Sequence, residues 1–518
     1  MKQKQKCFLN VLMLLAIIAA AFFLRFADIE NIPSGIYPDE AVNGMDALRA
    51  IETGNYQLFY PDNNGREGLF INIQAFFIKL MGPSVLSLKL ASILIGTLTV
   101  FGVFLLSKEI FRSARAGLIS AYLTAFSFWA INFSRIGFRA IMVPLILSFS
   151  FYFLLKGFRS KKYSPFIFSG LIFGLGFHTY IAFRIAPAIV GALFVFMLIT
   201  QKHFIRNFWK QIIVFGAATL ITLSPMIYEF YTHPEYLESR SASISVFAPE
   251  MNQGKLVPTI ARSFVLSLVK YNFWGDQNWR HNYPPYPILD PIVGITFLAG
   301  FLYVIAKAFH LLWLRFRHDV HDEKLYLYFF LLAWFFAMLA PEFLTAEGLP
   351  HALRAIGTLP VVMIFATIPF LWIMGKIPKH GYSLRVVILS VLAGAFIFIA
   401  TFNTLKYFVF FKNNQKQHES FNANLKDMAY RLRTYPAGTQ KYVIAESMER
   451  IPVKFLNPDL PDTHYVYPGE LDSLQPQGDF VILLTDSHLI GRVRSQFPDL
   501  TVTEYKNFPD DKMWELKQ

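Results

Sequence analysis

Long apolar runs separated by short polar stretches dominate the chain as far as about residue 408. Runs of roughly 16 to 22 residues approach or reach the length of about 20 that lets a helix cross a bilayer. The pattern therefore predicts a polytopic α-helical membrane protein with about eleven crossings. The predicted spans are 8–27, 85–106, 116–133, 140–156, 165–182, 185–200, 211–228, 290–310, 325–343, 353–374 and 386–408.

The short loops between these spans set the predicted orientation. Lys2, Lys4 and Lys6 precede the first span, and Lys or Arg recurs in every second loop after it. Because cytoplasmic loops carry the basic excess, we expect a cell-membrane protein with a cytoplasmic N-terminus. Three long segments then lie outside: 28–84, 229–289 and the C-terminal 409–518.

Two of these segments contain recognisable local patterns. Leu69–Lys79 is amphipathic and ends before Pro83, which predicts a helix on the membrane surface. In the last segment, Lys441–Ala445 and Phe480–Leu484 are typical of buried strands, with helices predicted at about 415–433 and 487–496. We therefore predict a transmembrane core, 1–408, and a small extracytoplasmic α/β domain, 409–518.

Composition supports this class. The chain is 54% hydrophobic and only 16% charged, whereas soluble domains carry about 25% charged residues. A net charge of +13 would suggest nucleic acid in a soluble protein, but here it marks membrane topology and anionic lipid as the partner. Cys7 is the only cysteine, which excludes internal disulfides and cysteine-ligated metal sites.

The acidic pair Asp39-Glu40 is the first candidate for chemistry. It follows the first span by about a dozen residues and lies on the predicted outer side, close to the membrane. Carboxylates near an apolar boundary are costly, so such a pair indicates function. Asp39 could act as a general base, or it could instead cap a helix that begins near Ala41.

Further ionisable residues recur at the same outer ends of the spans. The positive-inside tendency disfavours arginine there, so an anionic ligand such as a lipid phosphate would explain them. Alternatively, Arg135 or Arg184 could extend to lipid headgroups, and Arg66 and Glu67 could pair with each other. The set is Arg66, Glu67, Arg135, Arg139, His178, Tyr180, Arg184, Arg280, His281, Glu342, Glu347, His351 and Arg354.

These residues resemble the GT-C glycosyltransferase superfamily, and more narrowly glycosyltransferase family 39. That family includes the dolichyl-phosphate-mannose protein mannosyltransferases and the aminoarabinose transferases. The likeness covers roughly 8–410. Its motifs are Pro38-Asp39-Glu40, Arg66-Glu67-Gly68, Ser134-Arg135 and His351-x-x-Arg354.

The resemblance implies transfer of one sugar from a polyprenyl-phosphate donor to an acceptor hydroxyl on a protein, glycan or lipid. It implies that Asp39 is the catalytic base and that Glu40 supports it. It also implies that Glu67, either Arg135 or Arg139, and Arg354 contact the donor. With the other polar residues on the outer side, the residues we expect to bind the donor phosphate or sugar are Glu67, Arg66, Arg135, Arg139, Arg280, His281, His351 and Arg354. A polyprenyl phosphate is a fair leaving group, so no metal is required, although a divalent metal is compatible with the reaction.

Two other functions remain open at this stage. A transporter or flippase of a lipid-linked or anionic substrate would place charged residues in the middle of the spans, and few occur there. A scaffold that only displays the C-terminal segment would need no clustered polar groups. The sequence therefore favours a glycosyltransferase without identifying its sugar or acceptor.

Overall fold

A computed structural model describes residues 3–237, 244–378, 382–508 and 511–517. In the membrane-predicted part the α-helices are, in chain order, α1 (Gln3–Phe26), α2 (Pro38–Thr53), α3 (Leu69–Met81), α4 (Val85–Phe111), α5 (Ala114–Phe126), α6 (Phe128–Phe133), α7 (Met142–Ser160), α8 (Tyr163–Leu175), α9 (Ala186–Thr200), α10 (Phe204–Thr232), α11 (Pro249–Asn252), α12 (Leu256–Val269), α13 (Pro291–His318), α14 (Glu323–Phe343), α15 (Leu359–Gly375) and α16 (Tyr382–Leu405). Two short strands, β1 (Phe59–Tyr60) and β2 (Arg66–Glu67), pair antiparallel between α2 and α3.

The C-terminal segment contains a five-stranded sheet and four helices. Strand order is β4-β3-β5-β7-β6; β3 pairs parallel with β4 and β5, and β7 pairs antiparallel with β5 and β6. The elements are α17 (Gln415–Ser420), α18 (Ala423–Leu432), β3 (Gln440–Ile444), α19 (Ser447–Leu456), β4 (Thr463–Val466), β5 (Phe480–Leu484), α20 (His488–Gln496), β6 (Thr501–Phe508) and β7 (Asp511–Lys517).

The predicted fold class is confirmed: the chain is a multi-pass helical membrane protein with a small C-terminal sheet. Within the described residues, nine helices are long and apolar enough to span a membrane, counting the 3-10 or π turns that continue four of them. Helices α4, α7 and α15 form the centre, since 72% of their most apolar stretch is buried. For α1 and α16 the corresponding figure is 11%, so these helices lie at the periphery.

The remaining two predicted spans, 116–133 and 165–182, fall on shorter pieces. The first is divided between α5 and α6 at Ser127, whose side chain accepts from the Ala130 backbone N–H and so caps α6. The second is α8 followed by a 3-10 turn, Gly176–His178. A serine cap and a 3-10 turn both interrupt the regular i→i−4 ladder, which apolar periodicity alone does not reveal.

Residues 28–84, between α1 and α4, share one hydrophobic core with the C-terminal segment. Ala47 of α2 and Ile78 of α3 belong to the same buried cluster as Leu425 and Phe455. A Cβ built on Gly44 would lie 2.6 Å from the Phe455 ring, so α2 approaches α19 closely. The C-terminal segment is therefore packed onto the same loop that carries Asp39.

Candidate active site

One end of the helical bundle contains a cavity of about 1110 Å³. Six separate stretches of the chain form its wall: residues 37–67, the turn after α6, the turn before α9, the loop before α11, the loop before α13, and the end of α14 with the segment joining it to α15. The ionisable and polar residues that line it are Tyr37, Asp39, Asn63, Asn64, Glu67, Arg139, Tyr180, Arg184, Ser245, Asp276, Gln277, Asn278, Arg280, His281, Thr345, Glu347, His351 and Arg354.

Asp39 lies on the cavity wall in the first turn of α2. Tyr37 occupies the N-cap position and Pro38 begins the helix, so the alternative in which Asp39 is the N-cap is wrong. Asn63 Nδ2 donates to Asp39 Oδ1 at 2.9 Å, from a turn where Asn63 has a φ of 51°. Asparagine tolerates that left-handed backbone better than most residues. The β1–β2 turn therefore fixes one oxygen of the Asp39 carboxylate.

Glu67 lies on another part of the cavity wall and contacts two arginines. Arg139 Nε donates to Glu67 Oε2 at 2.9 Å, and Arg184 lies 3.6 Å from Glu67 Oε1. Both guanidinium groups retain partial exposure, 19% and 30%, whereas Glu67 is buried. Arg66 does not pair with Glu67, so that alternative is also wrong. The cavity thus contains two arginines that share one carboxylate.

Arg280 is the cavity arginine with the least compensation. Its guanidinium carbon lies 3.9 Å from the centre of the Tyr37 ring, and its Nε donates to Asn278 Oδ1 at 3.1 Å. Burial, with the Asp39 carboxylate adding, raises the pKa of Tyr37, so the phenol stays neutral. In the part of the chain that the structure describes, no carboxylate lies within 4.0 Å of Arg280. By contrast, Arg354 pairs with Glu347 at 3.2 Å.

A cluster of one carboxylate and two imidazoles lies next to Arg280. His281 Nδ1 and Asp276 Oδ2 are 3.0 Å apart, and the His281 and His351 ring centres are 4.7 Å apart. Asp276 Oδ2 also accepts from the Ala352 backbone N–H at 2.6 Å, which ties the two loops together. Burial, with neighbouring His281 and Arg354 adding, holds the pKa of His351 well below its ordinary value. His351 is therefore a neutral imidazole.

A buried ion pair contacts the backbone of His351, one member of this cluster. Lys270 and Glu342 are both completely buried and in contact, and Glu342 Oε1 accepts from the His351 backbone N–H at 2.8 Å. A buried pair is expensive to break, because removing one partner leaves the other charge uncompensated. The loop before α13 is therefore held against the end of α14.

Three predicted site residues lie outside the cavity lining. Glu40 is fully buried, and its Oε1 accepts from the Gly137 backbone N–H at 2.7 Å. Arg66 donates to Asp46 Oδ2 at 2.5 Å and fixes the β1–β2 hairpin to α2. Arg135 donates to the backbone oxygens of Leu24 and Ile32 at 2.9 and 2.7 Å. In this geometry all three connect segments of the protein rather than face the cavity.

Apolar side chains from helix ends, loops and strand β1 form another part of the same wall. They place an apolar surface beside the charged groups, an arrangement suited to a ligand that has both a polar head and a hydrocarbon part. These residues are Phe59, Phe138, Ile181, Ile185, Ile244, Phe247, Ala340, Leu344 and Leu353.

Sequence reasoning missed Asn63 and Asp276 as site residues. Asn63-Asn64-Gly65 is a turn signal, but nothing in it indicates contact with a carboxylate 24 residues earlier. Asp276 lies five residues before His281, and that spacing alone does not show that His351 completes the group.

Comparison with known proteins agrees with this architecture. A family model described as dolichyl-phosphate-mannose-protein mannosyltransferase matches residues 69–228, less than half of the chain. The ArnT structure from Cupriavidus metallidurans bound to undecaprenyl phosphate has a TM-score of 0.53 at 11% identity, covering 99% of this chain and 98% of ArnT. The apo ArnT structure gives 0.53 at 12% identity, covering 100% and 98%.

A third structure is similar over a smaller share of its own length. The Archaeoglobus fulgidus oligosaccharyltransferase, in complex with Zn and sulfate, has a TM-score of 0.53 at 14% identity and covers 86% of this chain and 61% of that one. The chain has a GT-C glycosyltransferase fold. The predicted resemblance to the GT-C superfamily and family 39 is confirmed by the family model and these structures together. No curated protein sequence matches the chain significantly.

Proposed function

We propose that this GT-C chain is an integral membrane glycosyltransferase that transfers one hexose or pentose from a polyprenyl-phosphate donor to an acceptor hydroxyl at the outer membrane face. One observation carries the proposal. Asp39 shares a single cavity with arginines and with an apolar wall. The cavity therefore offers a base, an anion-binding surface and a lipid-facing side together.

The proposed reaction assigns each group a task. Asp39 accepts the proton of the acceptor hydroxyl, whose oxygen attacks the anomeric carbon of the sugar. The bond between that carbon and the phosphate oxygen breaks, and its electron pair leaves with the polyprenyl phosphate. Guanidinium groups stabilise the charge that develops on the phosphate. Backside attack of this kind inverts the anomeric carbon.

Arg280 is the arginine we assign to the donor phosphate. The other cavity arginines, Arg139, Arg184 and Arg354, each have a carboxylate neighbour within 4.0 Å. A phosphate that approaches Arg280 does not have to displace a protein carboxylate. Forming the phosphate–Arg280 ion pair therefore does not cost the free energy of breaking an existing one. The ArnT structure described as bound to undecaprenyl phosphate supports a polyprenyl phosphate as the lipid part.

The alternative, a transporter or flippase, fits the cavity less well. Alternating access requires a site that can open toward either face. The cavity lining comes from loops and helix ends at one end of the bundle. We accordingly place the acceptor protein, glycan or lipid on that side, with the N-terminus cytoplasmic and the C-terminal segment outside, as the basic loops predict.

The test uses membranes containing the chain and a panel of radiolabelled polyprenyl-phosphate monosaccharides, with membranes lacking the chain as control. We expect one labelled sugar to appear on an acceptor while unlabelled polyprenyl phosphate is released. Movement of intact labelled donor across the bilayer, without cleavage, would instead identify a flippase and contradict the proposal.

A further inference from the structure

The group formed by Asp276, His281 and His351 has the composition of a metal site. It offers one carboxylate oxygen and two imidazole nitrogens, all within 4.8 Å of one another, and it lies on the cavity wall. We propose that these three residues hold one divalent transition-metal ion of the zinc class. No part of the glycosyltransferase mechanism above depends on this ion.

The spacing of two of the ligand atoms is already suitable. Zinc lies about 2.0–2.2 Å from nitrogen and oxygen ligands, so neighbouring ligand atoms are roughly 3.0–3.5 Å apart. Asp276 Oδ2 and His281 Nδ1 are 3.0 Å apart. Both atoms can face one ion once the imidazole proton of His281 resides on Nε2 rather than Nδ1. The remaining ligand, His351, has a ring nitrogen within 4.8 Å of the other two ligand atoms.

Backbone hydrogen bonds hold the ligands in place from the opposite side. Asp276 Oδ1 accepts from the Asn278 N–H at 2.8 Å, and Asp276 Oδ2 accepts from the Ala352 N–H at 2.6 Å. A carboxylate oxygen has a second lone pair, which remains for a metal. Outer hydrogen bonds of this kind orient metal ligands and are part of most protein metal sites.

Ligand type and nearby charge both select the ion. Two imidazoles with a single carboxylate favour zinc, cobalt or nickel over magnesium and calcium, which prefer oxygen ligands. Two of the nearby cations are compensated, since Lys270 pairs with Glu342 and Arg354 with Glu347, which leaves Arg280 as the cation that the ion would face without a carboxylate between them. Asp276 supplies the negative charge that the ion needs.

Three protein ligands leave a fourth position open, as in catalytic rather than structural zinc sites. Because the three residues line the cavity, we place that position on the cavity side, where it takes an anionic oxygen such as hydroxide or phosphate. This last step rests on the proposed function; the ion-binding site itself does not. No sequence spacing indicates this site, because His281 and His351 lie on loops separated by two membrane-spanning helices.

The test measures metal directly, on the purified full chain without a polyhistidine tag. The protein is treated with chelator, reloaded with Zn²⁺, freed of unbound ion and assayed by mass spectrometry of the metal. We expect about one zinc per chain, as a three-ligand site of this type binds one ion. His281→Gln and His351→Gln should each reduce it to background. His178→Gln is the matched control, because His178 is also buried but bonds to the Thr222 carbonyl instead.

Cobalt provides a readout on the unmodified protein. Co²⁺ loaded into the wild type should give the visible absorption bands of a low-symmetry nitrogen and oxygen site, and Zn²⁺ should displace it. Equal zinc in wild type, His281→Gln and His351→Gln, or no cobalt bands in the wild type, would overturn the proposal. Zinc bound at this site in a chain that transfers no sugar would overturn the proposed function alone, and wild type that transfers sugar but takes up no zinc on reloading would overturn the metal site alone.

Discussion

At the scale of single residues, Asp39 and Glu40 have opposite surroundings although they are adjacent. Successive residues of a helix point about 100° apart, so Asp39 reaches the cavity wall while Glu40 points into the protein. There Glu40 accepts from the Gly137 N–H, and burial raises its pKa. The sequence could identify the pair as unusual. Only the orientation of the helix shows that Asp39 lines the cavity whereas Glu40 bonds to another segment of the protein.

Because Glu40 points away from the cavity, we predict that its substitutions change the stability of the protein rather than the transfer rate. Glu40→Gln keeps an acceptor for Gly137 but removes a charge that interacts with buried Lys89, so the protein should be less stable with an unchanged rate per folded molecule. Glu40→Ala should lose about 1–3 kcal/mol more, because the Gly137 N–H is left unsatisfied. Thermal unfolding and transfer rates measured on the same preparations check this. A Glu40→Gln protein of normal stability with no activity would show that Glu40 is catalytic after all.

At the scale of elements, the two strands predicted in the C-terminal segment are confirmed as β3 and β5. Both are central and buried, and such strands appear in sequence as continuous apolar runs. Strands β4, β6 and β7 mix polar with apolar residues, as in Thr463–Val466, and were not predicted. The amphipathic helix predicted at 69–79 is confirmed as α3. The buried cluster that contains Ile78 of α3 also contains Leu425 and so joins residues more than 300 positions apart, which local patterns do not encode.

The close approach of α2 and α19 gives a prediction at Gly44. Gly44→Ala improves helix propensity by up to about 1 kcal/mol, but its Cβ would lie 2.6 Å from Phe455 and should cost about 1–3 kcal/mol of overpacking. We expect a net loss of stability and faster proteolysis between the two segments. Gly491→Ala in α20, with no atom within 4 Å of its Cβ, is the matched control and should not destabilise. Equal behaviour of the two variants would contradict the packing of α2 on α19.

The sheet also carries a predicted pH dependence. Burial alone would raise the pKa of Glu515, but hydrogen bonds from Arg431 and Lys517 outweigh it and lower that pKa from 4.5 to about 2. A lowered pKa means that the carboxylate stabilises the fold above pH 4.5 and that this contribution is lost as the pH falls toward about 2. The unfolding midpoint of the wild type should therefore fall across that window, and that of Glu515→Gln should fall less. Asp459→Asn, at an exposed position, is the control, and its unfolding midpoint should depend on pH as that of the wild type does. A Glu515→Gln midpoint with the same pH dependence as the wild type would contradict the stabilising role of the Glu515 carboxylate.

At the scale of the whole molecule, the cavity exists because six separate stretches of the chain meet at one end of the bundle. The alternation of spans predicted from the sequence is enough to place Arg139, Arg280 and Arg354 at the same end. It is not enough to separate Arg139, which lines the cavity, from Arg135, whose guanidinium holds the carbonyls of Leu24 and Ile32. That difference depends on the local turn between α6 and α7 and on which neighbours it meets.

The central claim is that Asp39 is the base of a sugar-transfer reaction in this cavity. The decisive measurement is the rate of transfer from a labelled polyprenyl-phosphate sugar by Asp39→Asn and by Asp62→Asn. Asp62 is the matched control, a carboxylate of the same 28–84 segment whose side chain is 63% exposed and pairs with Arg49. We predict that Asp39→Asn lowers the rate at least about 100-fold while donor binding persists, and that Asp62→Asn retains the wild-type rate. Full activity in Asp39→Asn would contradict the account.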